Sequence, residues 1–160
     1  MPLAFRTQTS GLPLVSIGES VNEGQMIARA GNSASAHVHA SVPGIVSGIV
    51  DTQLPNGHSF RGLHIKTGGS FGILGKQRTP YLWKQSDQTG LIHFLDLAGL
   101  VNTSGETISL AEDIRTAVKQ GIKTLTVMLY DKDPTCMLDS FLACRFIREV
   151  AEGIDIIAHA

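Results

Sequence analysis

Two histidines stand two residues apart in the run Ala36-His37-Val38-His39, the spacing at which side chains of a strand share one face and could ligate one metal ion. No third ligand is signalled nearby, so no metal site is expected. The pair reads as a packed or surface feature, with a small-ligand face as a rival reading. His58 and His64 fall in one hairpin, and His93 sits among apolar neighbours on a helical stretch, where a half-buried, hydrogen-bonded ring is the ordinary reading. Among the acids, Asp131 and Asp133 are the ones to test, although acids at the start of a helix account for them equally well. Cys136 and Cys144, if they share a helix, lie about 12 Å apart, beyond disulfide reach. Both read as buried small hydrophobes. Two thiols also fall short of the four an ordinary iron–sulfur cluster takes. No Ser/His/Asp or paired-carboxylate arrangement can be assembled from spacing alone, so catalytic residues stay unassigned.

The elements that must position these residues change character along the chain. In residues 15–50, glycines at 18, 24, 31, 44 and 48 interrupt too often for a helix, while the Val and Ile between them suit half-buried strands. Two apolar runs, 25–30 and 45–50, each follow a glycine turn and are joined by a bridge of small residues. This predicts a small β-barrel or sandwich. Pro13 confines the leading segment to an edge or a strand start. Asn56-Gly57 marks a tight turn before the closing strand Leu63-His64-Ile65-Lys66, and the domain is expected to end at residue 69. Residues 70–85 form a connector whose Phe71, Tyr81 and Trp83 are expected to pack across the junction of the halves, with Pro80 preventing a continuous helix.

From residue 86 the period becomes helical. Ser86-Asp87 can cap a helix carrying Leu91, Ile92, Leu95 and Ala98 and closed by Gly99. Ser109 and Glu112 form the pattern of a capping box, opening a helix that Gly121 stops. Residues 122–130 have the strongest strand pattern in the chain. Asp133-Pro134 then turns the chain into one long helix from about Met137, with Leu138, Phe141, Leu142, Phe146, Val150, Ile154 and Ile157 as its apolar stripe. Helix, strand and helix in this order suggest an α/β layer, yet one strand does not make a sheet, so this half reads as incomplete. The expected class is α+β.

A chain of 160 residues is long enough to bury a core without staples. With a net charge of −1 it has no predicted basic face, which argues against nucleic acid as a partner. No run approaches the roughly 20 apolar residues of a membrane span, and the first residues lack the apolar core of a signal peptide. A cytoplasmic address is expected.

The wording of the first half goes further than its composition. Gly18-Glu19-Ser20-Val21-Asn22-Glu23-Gly24-Gln25-Met26-Ile27, followed by Ala40-Ser41-Val42-Pro43-Gly44-Ile45-Val46, resembles lipoyl- and biotinyl-type barrel-sandwich hybrids. A carrier of that type needs a lysine at the bridge between its halves, because the ε-amine is what the cofactor acylates. Here the bridge reads Gly31-Asn32-Ser33-Ala34-Ser35-Ala36, and the first lysine of the chain is Lys66. The fold is therefore expected without the swinging arm.

With both halves considered, the sequence resembles the RnfC family, a component of the Rnf electron-transport complex. In that family a barrel-sandwich domain precedes a flavin- and NADH-binding domain related to the flavin-bearing subunit of respiratory complex I. The resemblance rests on His39-Ala40, Pro43-Gly44-Ile45-Val46 and Asn56-Gly57 in the barrel, and on Ala98-Gly99-Leu100-Val101, Lys123-Thr124-Leu125-Thr126-Val127 and Glu152-Gly153-Ile154 beyond it. It implies a scaffold or docking role among the other subunits of a membrane-associated, NADH-linked complex, peripheral at the cytoplasmic membrane face. It also implies an FMN site at Gly105, Asp131 and Asp133. The departures fall on that site: the loop at residues 102–109 keeps one glycine and places Glu106 where a phosphate would be repelled. A scaffold that holds no cofactor by itself is the resulting expectation. A stand-alone protein-binding module that has lost its cofactor is the alternative.

Overall fold

The computed structural model of the chain describes residues 1–3, 10–53, 57, 59–68, 81–102, 108–128 and 137–160. They form two compact units, Met1–Tyr81 with His93–Asp113, and Leu82–Ile92 with Ile114–Ala160. The fold is mixed α+β, and the described residues hold small antiparallel sheets and four α-helices.

In the first unit, strands β1 (Leu12–Pro13), β2 (Ser20–Val21), β3 (Met26–Arg29), β4 (Val38–His39), β5 (Gly44–Gln53) and β6 (Ser59–Thr67) make two three-stranded sheets, β1-β3-β4 and β2-β5-β6. Pro13, which lacks an N–H to give, lies in the edge strand β1 as its chemistry requires. Alternation along β5 turns Val46 inward and leaves Ile45 and Ile49 exposed. Val46 joins Leu3, Val15, Val21, Ile27, Ala28, Val38, Ala40 and Leu63 in one apolar core. Each large side chain so buried contributes on the order of 1.5–3 kcal/mol relative to exposure.

The far side of β6 is not a bare edge. The Met1 ammonium donates to the Leu63 carbonyl at 2.8 Å, the Leu63 N–H donates to the Met1 carbonyl at 2.8 Å, and the Leu3 N–H donates to the Arg61 carbonyl at 3.0 Å. Residues 1–3 thus satisfy backbone groups that would otherwise invite pairing with another chain. Gly57 takes a positive φ of 83° in the β5–β6 turn, whereas Asn56 and His58 lie outside the described residues.

The same unit includes the C-terminal half of helix α1 (Gln88–Leu97), the hairpin β7 (Val101–Asn102) and β8 (Ile108–Ser109), and the first turn of helix α2 (Leu110–Lys119). Gly99, at φ 69°, ends α1 with its N–H donated to the Asp96 carbonyl at 2.9 Å. Tyr81 stacks on Phe94 with ring centroids 3.9 Å apart. Ser109 departs from expectation. It pairs in β8, and its buried Oγ has no hydrogen-bond partner among the described residues, so the first half of the capping box does not close.

In the second unit α2 ends as predicted. The Ile122 N–H donates to the Ala117 carbonyl and the Gly121 N–H to the Val118 carbonyl, with Gly121 at φ 68°. These are the two bonds of a Schellman stop. Trp83 lies in a 3-10 turn, Trp83–Gln85, and donates its Nε1–H to Glu152 Oε1 at 3.2 Å. Three expectations need correction. Residues 122–128 form no strand, because no other segment among the described residues offers their N–H and C=O groups a ladder. The long terminal helix is two helices, α3 (Leu138–Arg145) and α4 (Ile147–His159), broken at Phe146, and the N-cap of α3 is Met137 with no side-chain capping bond. The first part of its apolar stripe is uncovered, with Leu138 59% and Phe141 60% exposed, whereas Val150, Ile154 and Ile157 on α4 are half-buried. Cys144, expected to be buried, is exposed and free, while Cys136 lies outside the described residues.

Two stability outcomes follow from these contacts. A Cβ on Gly44 would fall against the Lys66 carbonyl across the β5–β6 ladder, so Gly44→Val should cost about 2 kcal/mol in urea unfolding; an unchanged midpoint would contradict the placement. Ser109→Ala should cost nothing, since its hydroxyl finds no partner among the described residues. A loss of about 1 kcal/mol would show that the capping bond forms after all.

Candidate functional site

The bridge between β3 and β4 is where a carrier of this fold would present its lysine. Here its end is held down, while residues 31–34 are exposed. Asn32 Oδ1 accepts the Ser35 N–H at 2.9 Å and the Ser35 Oγ–H at 2.8 Å. Ser35 and Ala36 are only 3% and 4% exposed. The Ser109 N–H donates to the Ala34 carbonyl at 2.9 Å, so the end of β8 rests on the bridge. A swinging arm needs an exposed tip carrying an amine.

His37 and His39 follow directly on the same bridge. The Ala30 N–H donates to His37 Nδ1 at 3.2 Å, which places the proton of the neutral ring on Nε2. His39 pairs opposite Met26 across the sheet. A Cβ on Gly99 would lie 2.5 Å from the His37 carbonyl and 3.0 Å from His39 Cε1, so only a glycine lets the end of α1 approach β4 this closely. His93, expected to be half-buried, is exposed on α1, where it helps line a cleft with His37. His64 Nδ1 lies 2.8 Å from Ser47 Oγ on the outer face of the β5–β6 ladder, away from the bridge. Among the described residues no group of three His, Cys, Asp or Glu could hold a metal ion.

The expected flavin residues Gly105, Asp131 and Asp133 all lie outside the described residues. The flanks of the loop are visible. Asn102 and Ile108 pair across the β7–β8 hairpin, and Asn102 Nδ2 donates to Asp113 Oδ2 at 2.7 Å. Glu112 and Asp113 occupy the first turn of α2, the positive end of its dipole. The residue that spacing did not reveal is Arg29. It shares the cleft with Met26 although the two are three apart in a strand, and the signal for it is the adjacent apolar pair Ile27-Ala28, which breaks the alternation.

Two small antiparallel sheets around one core, joined by a bridge that carries no lysine, have the architecture of a barrel-sandwich hybrid. Residues 1–70 match the family described as the RnfC Barrel sandwich hybrid domain, and this N-terminal region is RnfC-like. No curated protein matches the chain. Among the described residues no helix is long and apolar enough to cross a membrane.

Gly99→Ala should be destabilising by about 1–2 kcal/mol from its left-handed φ alone, with a further cost from the His37 carbonyl. Amide exchange at residues 34–39 should accelerate with it. Unchanged protection there would show that α1 does not brace the bridge.

Proposed function

We propose that this chain is a component of an NADH-linked electron-transport complex of the Rnf type, serving as scaffold and docking surface and holding no flavin by itself. The observation that carries this reading is the match of residues 1–70 to the RnfC barrel domain. In this reading residues 1–69 are the barrel, 70–85 a connector, and 86–160 a flavin-domain-like region. Its partners are other subunits of the complex, and its place is peripheral, at the cytoplasmic membrane face.

The acids at the start of α2 support the absence of flavin. A flavin phosphate at that helix end would face Glu112 and Asp113, with Asp113 already drawn onto Asn102 at the base of the loop. The described residues there do not suit a phosphate, and no redox step is routed through them. Apolar side chains left uncovered on α3, Phe141 and Leu142 among them, suit docking. The same exposure favours the second reading, a stand-alone protein-binding module that has lost its cofactor. Co-purification with membrane-associated redox subunits separates the two.

Titration with FMN, followed by flavin fluorescence, should show no saturable change at concentrations well above those that fill a working flavoprotein. Saturable binding that weakens in Gly105→Val and in the double variant Asp131→Asn, Asp133→Asn would reject the scaffold reading and give the chain a redox role.

A further inference from the structure

A cleft of about 530 Å³ opens in the first unit between the bridge and the C-terminal half of α1, within the roughly 300–1,000 Å³ typical of small-molecule sites. Its apolar part comes from Leu14, Met26 and Leu97. Its polar part comes from Arg29, Asn32, Ser33, His37, His93 and Asp96. Arg29, exposed at the end of β3, makes no ion pair among the described residues. His37 gives its Nδ1 to the Ala30 N–H, leaving Nε2–H as the ring's donor, and His93 stands on the α1 wall. One carboxylate, Asp96, shares that wall.

Arg29 reaches this position through a departure from regular strand geometry. In an unbroken strand, side chains three apart lie on opposite faces. Here Met26 pairs with His39 and Ala28 with Val38, so β3 contributes one residue more than β4 over the same interval. That bulge lets Ile27 and Ala28 both reach 0% exposure and brings Met26 and Arg29 into one cleft. The facing wall is held by the bare backbone of Gly99 against the His37 carbonyl. The β3 bulge and the Gly99 approach thus fix the backbone on both sides of the cleft.

We propose that this cleft binds a small organic monocarboxylate with a compact apolar body, the Arg29 guanidinium taking the carboxylate and Leu14, Met26 and Leu97 the body. A guanidinium matches a carboxylate with two parallel N–H donors, and the imidazole Nε2–H of His37 adds a further donor on the same cleft. Asp96 selects against ligands with a second negative charge. The proposal is independent of the electron-transport reading.

Benzoate is the probe, with benzylamine as a comparator of the same body and opposite charge. Amide chemical shifts of the isotope-labelled full chain should move saturably with benzoate at residues 29–33, 37 and 93–97, and benzylamine should leave them in place. Arg29→Gln should weaken benzoate about ten-fold, the loss of one charged hydrogen-bonding partner. Arg61→Gln, on the exposed Asp51 pair of the β5–β6 ladder, should bind as the parent does. Because Arg29 is exposed, the variant's unliganded spectrum should match the parent's. Shifts centred on residues 114–125 or 138–147, an equal response to benzylamine, or an Arg29→Gln titration that overlays the parent would each overturn the assignment.

Discussion

The close approach of Gly99 to the His37 carbonyl is the constraint on which the arrangement around the bridge depends. A helix end can be brought within contact of a strand backbone only where no Cβ intervenes, and here the same residue must also take the left-handed conformation that ends α1. One position therefore terminates the helix and seats it on β4. From there the chain turns into the β7–β8 hairpin, whose last N–H bonds the bridge at Ala34. The bridge is shut by a segment more than sixty residues downstream, outside the stretch that matches the RnfC barrel family.

This closure changes what a barrel-sandwich fold can do. In a carrier, the bridge is a projecting turn, and function resides in a lysine that leaves the surface. In this chain only the end of the bridge is packed, with Ser35 satisfied by Asn32 and Ala36 buried, while residues 31–34 stay exposed. What remains accessible beside it is a concave surface carrying a guanidinium that no carboxylate among the described residues neutralises.

Where local geometry decides an outcome, the sequence was legible. Glycine-punctuated strands, the edge position of Pro13 and the helix stops at Gly99 and Gly121 all follow from φ preferences and missing donors, and all are found. Where a partner decides, it was not. Residues 122–128 have a strand's composition but no neighbour to pair with among the described residues, and the α3 stripe has an apolar period but no layer there to bury it. Ser109 shows the same limit at the scale of one atom: its pattern promised a cap, yet pairing in β8 turned its hydroxyl away from any described acceptor or donor. Arg29 was hidden because a bulge changes which residues share a face, and a bulge is a property of two strands together. Gly105, Asp131 and Asp133 fall outside the described residues.

The sequence separation of the contacts that complete the first unit bears on how the protein is made. Residues 1–3 bond the strand around Leu63, and Ala34 waits for Ser109. Non-local pairings of this kind form late, because loop-closure entropy is lost before the contacts return it. During synthesis the β-sheets can collapse once residue 67 has emerged, but the Ala34 carbonyl has no Ser109 N–H to accept until the hairpin ending at residue 109 has also left the ribosome. For that interval the nascent barrel keeps an open acceptor at the bridge, a position that the protein's own downstream segment must find.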